Sequence, residues 1–432
     1  MTSDTATQAG APSNSRLITV FSLRWREILL LFLLIWTLAF QAYRGGANPD
    51  SPLTSTDFRV FYEAGARLNE GVSLYAPPAS YGQGVYIYLP MTAVVMRPLA
   101  KLPPFEAHKL WTAANVLFLL ASIALFALAS NFRWRDTLSV GIMLLLGFRF
   151  WPTSYNLALG QVNFIALFLL CAMFYAQRKQ QWIMFGVLIA LAALLKTWFI
   201  GLLLYLILQR QWRAAAIGSL SFAALVVLAF SIVGWKEWAS FIHYTTTYSS
   251  QPWIVSQSLN GFARLHFASN MHMQPLVNSQ AAYLAFIIIG YGLFAAAAFR
   301  IFRRPLSKES SSTSKANLTL GFFILTFILS LPFCHMEYFL FALPLFWTIL
   351  TWGTRTITPS QTVAPLVAIA GTILTYLLFT RPWPISGPAL LAYSEGLKTL
   401  IPSMYFFGGC ALWLITLYLL CRPSHREASN EC

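Results

Sequence analysis

Trp182-Ile-Met-Phe-Gly-Val-Leu-Ile-Ala-Leu-Ala-Ala-Leu-Leu-Lys196-Thr-Trp-Phe-Ile-Gly-Leu-Leu-Leu-Tyr-Leu-Ile-Leu208 is an apolar run interrupted near its middle by a lysine. Basic residues flank both ends: Arg178 and Lys179 before it, Arg210 and Arg213 after it. One continuous membrane-spanning helix would put those clusters on opposite sides of a bilayer, whereas Lys and Arg collect on one side. Two short half-helices turning near Lys196 keep both clusters together. That reading makes the chain a polytopic helical membrane protein with a cation at the outer turn of a helical hairpin.

Composition agrees. Of the 432 residues, 57% are hydrophobic and only 10% are charged, so most of the chain belongs in lipid rather than in two or three soluble domains. The net charge of +15 does not point to nucleic acid. Its Lys and Arg residues fall in short clusters between apolar runs, the pattern that orients a membrane protein. The five cysteines form no Cys-x-x-Cys pair, which argues against a disulfide framework or a zinc site.

A span needs roughly 20 apolar residues to cross about 30 Å of hydrocarbon. Outward from the hairpin, spans are predicted near 28–43, 110–130, 137–150, 160–177, 214–233, 282–299, 317–331, 337–351, 363–380 and 402–421. With the two half-helices this makes twelve. Residues 1–22 read as a disordered cytoplasmic tail, 23–422 as the transmembrane domain and 423–432 as a second cytoplasmic tail. Outer loops are expected at 44–109, 234–281 and 381–400, and Ser-rich 307–316 reads as a flexible inner linker. Placing both termini inside puts seventeen of the 29 Lys and Arg residues on the inner side. The protein is therefore expected to be multi-pass in the cell (inner) membrane.

The first outer loop holds Ser55-Thr-Asp-Phe-Arg-Val-Phe-Tyr-Glu-Ala-Gly-Ala-Arg-Leu-Asn-Glu-Gly71. Phe58, Phe61, Tyr62, Gly65 and Leu68 recur at helical spacing, while Arg59, Glu63 and Arg67 form an i,i+4 charged face. This predicts an amphipathic helix at the membrane surface, stopped by Gly71. Asp57 at its leading end is either a helix cap or a functional carboxylate. Segment 89–100 is apolar but too short to span, so it reads as interfacial or re-entrant. In this topology the other unusual polar residues also reach the outer side: Gly160-Gln-Val-Asn163, Lys196, Ser256-Gln-Ser-Leu-Asn260, Arg264 and His335. An ionisable residue at membrane depth costs roughly 2.5–3.5 kcal/mol on insertion scales, which makes it a functional candidate. Gln161 and Asn163 are equally suited to bridging helices, and Lys196 to snorkelling.

Asp57-Phe-Arg-Val-Phe-Tyr-Glu-Ala-Gly65, Gly71-Val-Ser-Leu-Tyr75, Tyr88-Leu-Pro90 and Arg97-Pro-Leu-Ala-Lys-Leu-Pro103 resemble the opening loop of glycosyltransferase family 87. The series continues in order through Gly160-Gln-Val-Asn163, Leu194-Leu-Lys196, Gln257-Ser-Leu-Asn-Gly261 with Arg264, and His335 ahead of Tyr338. The family consists of polytopic GT-C class enzymes, including bacterial mannosyltransferases that use polyprenyl-phosphate mannose. The resemblance implies an all-α GT-C bundle whose long first extracytoplasmic loop carries amphipathic helices. It implies inverting transfer of a hexose, mannose in the first instance, from a polyprenyl-phosphate donor to a lipid or glycan acceptor. Asp57 would act as general base, with His335 as the second catalytic candidate. Tyr62, Tyr88, Gln161, Lys196, Gln257, Asn260 and Arg264 would contact the substrates. Lys196, Arg264 and His335 supply cations and donors for a leaving lipid phosphate, which needs no protonating acid. The lack of an obvious Asp-x-Asp pair favours a mechanism with no metal or other cofactor.

Two other classes remain open on sequence alone. A transporter or flippase would be equally apolar, but internal repeats and mid-membrane charges would then be expected. A glycan polymerase or ligase would differ in taking a lipid-pyrophosphate-linked oligosaccharide.

Overall fold

The computed structural model describes residues 56–75, 86–131, 137–249, 256–270, 273–303, 313–356, 363–380, 393 and 395–422. The expected first span, both tails and most of the 381–400 loop lie outside these residues.

Helices account for nearly all of the described chain. Helix α1 (Thr56–Glu70) is the expected amphipathic helix, and it ends where Gly71 adopts a φ of 70°. Phe58, Phe61 and Ala64 are buried, and Arg59 pairs with Glu63 at 2.6 Å. Arg67 instead turns back to the Leu74 carbonyl at 3.2 Å. Segment 89–100 forms the short helix α2 (Pro90–Met96), which packs against α1.

The bundle follows with α3 (Pro104–Ala129), α4 (Thr137–Arg149), α5 (Trp151–Leu159), α6 (Asn163–Arg178) and α7 (Trp182–Leu195). It continues through α8 (Leu203–Leu208), α9 (Trp212–Val233), α10 (Glu237–Ser249), α11 (Leu259–Phe267) and α12 (Gln280–Phe302). Helices α13 (Thr313–Ser330), α14 (Leu343–Thr356), α15 (Val363–Leu378) and α16 (Met404–Cys421) complete it. Among the described residues, five helical stretches are long and apolar enough to cross a membrane: Pro104–Ala129, Trp212–Val233, Gln280–Phe302, Thr313–Ser330 and Gly396–Cys421. Other expected spans are shorter apolar helices. The last stretch begins earlier than expected, because a 3-10 segment over Gly396–Ser403 leads into α16.

Two ends of the bundle can be told apart by what their side chains bond. At one end Tyr205 donates to Gln177, Gln177 to the Ala316 carbonyl at 3.0 Å and Asn317 to Ser130 at 3.1 Å. Arg178 reaches Asn131 there at 2.8 Å, so a basic cluster sits at this end. The core between the ends is aromatic: Phe126 meets Phe174 and Trp347, each with ring centroids 5.3 Å apart. By contrast, Leu220, Ile288, Phe299 and Leu374 are exposed, as hydrocarbon-facing side chains would be.

The hairpin at Lys196 is present. Helix α7 stops at Leu195, Lys196 is extended (φ −139°, ψ 103°), and a 3-10 turn over Thr197–Leu202 runs into α8. Phe185 and Tyr205, on opposite sides of Lys196, stack with centroids 5.8 Å apart. The chain therefore doubles back. Close packing of α7 on α9 depends on Gly186, where a Cβ would lie 2.4 Å from the Ala214 carbonyl oxygen.

Candidate functional site

The opposite end of the bundle holds a cavity of about 190 Å³. Four parts of the chain that are far apart in sequence supply its polar wall: Asp57, Gln161, Lys196, and His335 with Glu337. Tyr88, Trp198, Thr245, Phe333 and Tyr338 help to close it.

Asp57 arrives at the first turn of α1, and Gln161 donates its side-chain amide to Asp57 Oδ2. Gly160 makes this approach possible. It ends α5 with φ 64° and ψ 37°, the left-handed conformation that costs glycine least. A Cβ on it would lie 2.5 Å from the Phe58 Cβ, so any side chain would push the start of α1 away. The Trp111 indole holds the same turn through the Gly160 carbonyl at 2.7 Å. Asn163 turns inward instead and donates to Asn156 at 2.7 Å, so within one motif the glutamine serves the cavity and the asparagine serves the packing. Burial, and next the Glu337 carboxylate, push the Asp57 carboxyl above its ordinary value of 3.8, against the opposing pull of Lys196, Gln161 and His335.

Lys196 is 5% exposed. Its Nζ donates to the Tyr88 hydroxyl at 3.2 Å and lies 4.8 Å and 5.1 Å from the ring centroids of Tyr88 and Tyr338. Aromatic faces stabilise a cation without cancelling its charge. No carboxylate among the described residues comes within ion-pairing distance of it. Tyr88 is itself fixed, its carbonyl accepting from the Tyr75 hydroxyl at 2.7 Å.

His335 occupies a corner built like the one at Lys196: an extended residue (φ −72°, ψ 157°), then a 3-10 turn over Met336–Ala342, then α14. The two corners pack together, with Trp198 against Phe341 at 5.4 Å and Tyr338 at 5.9 Å between centroids. His335 Nδ1 lies 3.1 Å from Glu337 Oε1. Asn156 clamps the turn by donating to the Glu337 carbonyl at 3.0 Å.

The structure places the remaining expected residues elsewhere. Tyr62 spends its hydroxyl on the Leu102 carbonyl at 2.8 Å and is not part of the cavity wall. Gln257 is buried, bonding Pro402 and Phe406 at 2.8 and 3.2 Å, so it ties the 331–335 turn to the last helix. Its backbone N–H also donates to Cys334, and Ser256 pairs with His335 as an isolated antiparallel bridge. Asn260 donates to the Pro332 carbonyl at 2.8 Å and accepts from Tyr283 at 2.9 Å. Arg264 is exposed on α11, away from the wall. Tyr62, Gln257 and Asn260 are thus already bonded to backbone carbonyls or N–H groups outside the cavity, and sequence does not reveal which polar side chains are so engaged. Conversely, Glu337 and Trp198 line the cavity although the sequence analysis did not propose them. The signal for Glu337 was available, an acid two residues after a histidine at an outer turn. Among the described residues no three His, Cys, Asp or Glu side chains come together as a metal site.

The model of glycosyltransferase family 87 matches residues 86–330, more than half of the chain. The chain belongs to glycosyltransferase family 87. The matched region includes Tyr88, Gln161 and Lys196; Asp57 and His335 lie outside it in sequence but line the same cavity. One relative of this family 87 chain is the alpha-(1->3)-arabinofuranosyltransferase of Corynebacterium glutamicum, 26% identical over 204 residues, which are 46% of this chain and 47% of that protein. Another is the polyprenol-phosphate-mannose-dependent alpha-(1-2)-phosphatidylinositol mannoside mannosyltransferase of Mycobacterium tuberculosis. It is 26% identical over 226 residues, 48% of this chain and 50% of that protein. The chain spans about half the length of the curated relatives it matches.

Proposed function

We propose that this family 87 chain is a membrane-embedded, inverting glycosyltransferase that moves a hexose, mannose, from a polyprenyl-phosphate donor to a lipid or glycan acceptor. The reaction takes place at the extracytoplasmic face of the inner membrane, with both termini of the chain in the cytoplasm. The observation that carries this reading is that a carboxylate and an ammonium, Asp57 and Lys196, line one cavity without forming an ion pair with each other. Each remains available to a substrate.

In the transfer, the acceptor hydroxyl oxygen attacks the anomeric carbon while Asp57 takes its proton. The bond from that carbon to the phosphate oxygen breaks, and its electron pair leaves with the lipid phosphate. A base whose proton affinity has been raised is better matched to a weakly acidic hydroxyl, and Gln161 aims the carboxylate. Lys196 and His335 face the charge that develops on the phosphate, which lets the reaction proceed without a metal ion. The name of the mycobacterial relative supports mannose and the polyprenyl-phosphate carrier.

The test is to incubate purified protein in lipid nanodiscs with radiolabelled polyprenyl-phosphate mannose, polyprenyl-phosphate arabinofuranose or GDP-mannose, together with a membrane lipid extract. Label should move to lipid or glycan from the polyprenyl-phosphate mannose alone. Transfer from GDP-mannose, or from no donor, overturns the proposal; transfer from the arabinofuranose donor replaces the sugar.

A further inference from the structure

Glu337 is 3% exposed, yet it lines the cavity beside Asp57, Lys196 and His335. Its Oε1 is engaged by His335 Nδ1 at 3.1 Å. Its Oε2 is buried, and no other described residue donates a hydrogen bond to it. A buried carboxylate oxygen without a donor is costly, and a residue that served only to orient His335 would need only one oxygen. The Glu337 backbone is also held in place, by Asn156 at its carbonyl.

Charge decides which part of a sugar-phosphate donor faces this oxygen. A phosphate is repelled by a carboxylate and attracted to Lys196, so the two ends of the donor should sort across the cavity. The sugar brings several hydroxyl donors, each able to satisfy a carboxylate oxygen. We propose that Glu337 Oε2 is a sugar-recognition point that accepts a hydrogen bond from one hydroxyl of the transferred sugar, while Oε1 holds His335. This inference rests on the donor class proposed above. It makes Glu337 a specificity-determining residue, because a site with a buried unpaired acceptor discriminates against an analogue lacking the matching hydroxyl.

The experiment measures binding rather than turnover. Affinities of the 2-, 3-, 4- and 6-deoxy analogues of polyprenyl-phosphate mannose are compared for wild type and Glu337→Gln, whose side-chain oxygen can still accept from His335. Wild type should bind one analogue about 10- to 100-fold more weakly than the parent, the usual worth of a hydrogen bond to a charged group. Glu337→Gln should bind the parent correspondingly more weakly and lose most of the discrimination at that hydroxyl. Undiminished discrimination in Glu337→Gln overturns the proposal. So does a wild-type protein that binds all four analogues as well as the parent, a result that needs no variant to fold. If wild type binds no polyprenyl-phosphate sugar, the proposed donor class falls and this inference with it, whereas tight parent binding without hydroxyl discrimination removes the inference alone.

Discussion

The side-chain amide of Gln161 donates to Asp57 Oδ2, joining residues 104 positions apart at one corner of the cavity. A simple helix cap would direct the carboxylate at the N–H groups of its own first turn. Here it is held by a different helix junction and faces a cavity. Asp57→Asn should therefore lower turnover by about 10²–10⁴ while leaving donor binding intact. Asp57→Glu should also be impaired, since the added methylene moves the carboxylate off Gln161. Turnover of Asp57→Asn at the wild-type rate would return Asp57 to the role of a cap.

The pH dependence has a definite sign. A base at Asp57 would work only when ionised, and burial holds its pKa above the ordinary value of 3.8. The acidic limb of the rate profile should therefore fall at a pH above that of an exposed aspartate, and this limb should vanish in Asp57→Asn. Stability runs the other way. A carboxyl whose folded pKa is raised favours the fold while it is protonated, and that stabilisation is lost as pH rises through the folded value. At neutral pH Asp57→Asn should melt no lower than wild type. A clearly lower melting temperature would show that the ionised carboxylate supports the fold.

Lys196 and Arg264 should behave differently. Lys196→Met keeps the aliphatic stem between Tyr88 and Tyr338 but removes the charge. Donor affinity should fall by about 10- to 100-fold, the usual worth of one charge-assisted contact. Arg264→Ala, at an exposed position, should change affinity by no more than about twofold. Equal losses in both variants would relocate the phosphate.

Gly160→Ala tests the approach of α1 to the Gln161 turn. The new methyl meets the Phe58 Cβ in a backbone conformation unfavourable to alanine. Stability should drop by about 1–3 kcal/mol, as for overpacking, and activity should fall with it. An alanine variant with wild-type melting and turnover would show that α1 can shift without consequence.

Chelation gives a simpler readout. Under the proposed mechanism transfer should proceed unchanged in excess EDTA, because the Lys196 ammonium and a hydrogen bond from His335 would stabilise the leaving phosphate. Loss of activity restored by a divalent cation would assign that charge to a metal.

The helical hairpin was legible because two basic clusters and one lysine constrain it from three points, and Asp57 because a carboxylate follows an apolar span. The rest depended on contacts between distant parts of the chain. Nothing local distinguishes Gln161, which reaches the cavity, from Gln257, which is consumed by Pro402 and Phe406. Tyr62 and Tyr88 both lie in the expected first outer loop, yet only Tyr88 is brought against Lys196. The His335–Glu337 pair is local and its residues were readable, but the extended residue and 3-10 turn that close it are a change of backbone that hydropathy does not register.

The doubled-back arrangement of α7 and α8 also bears on how the chain enters the membrane. Fourteen α-helical residues reach only ~21 Å, short of the ~30 Å hydrocarbon layer, and the arm after Lys196 is no longer. Neither arm can be threaded alone, so the pair must be inserted as one unit during synthesis. Deleting the second arm would do more than remove a wall of the bundle. The first arm, too short to cross by itself, would be left without the partner it inserts with, so delivery of Lys196 to the cavity depends on the arm that follows it.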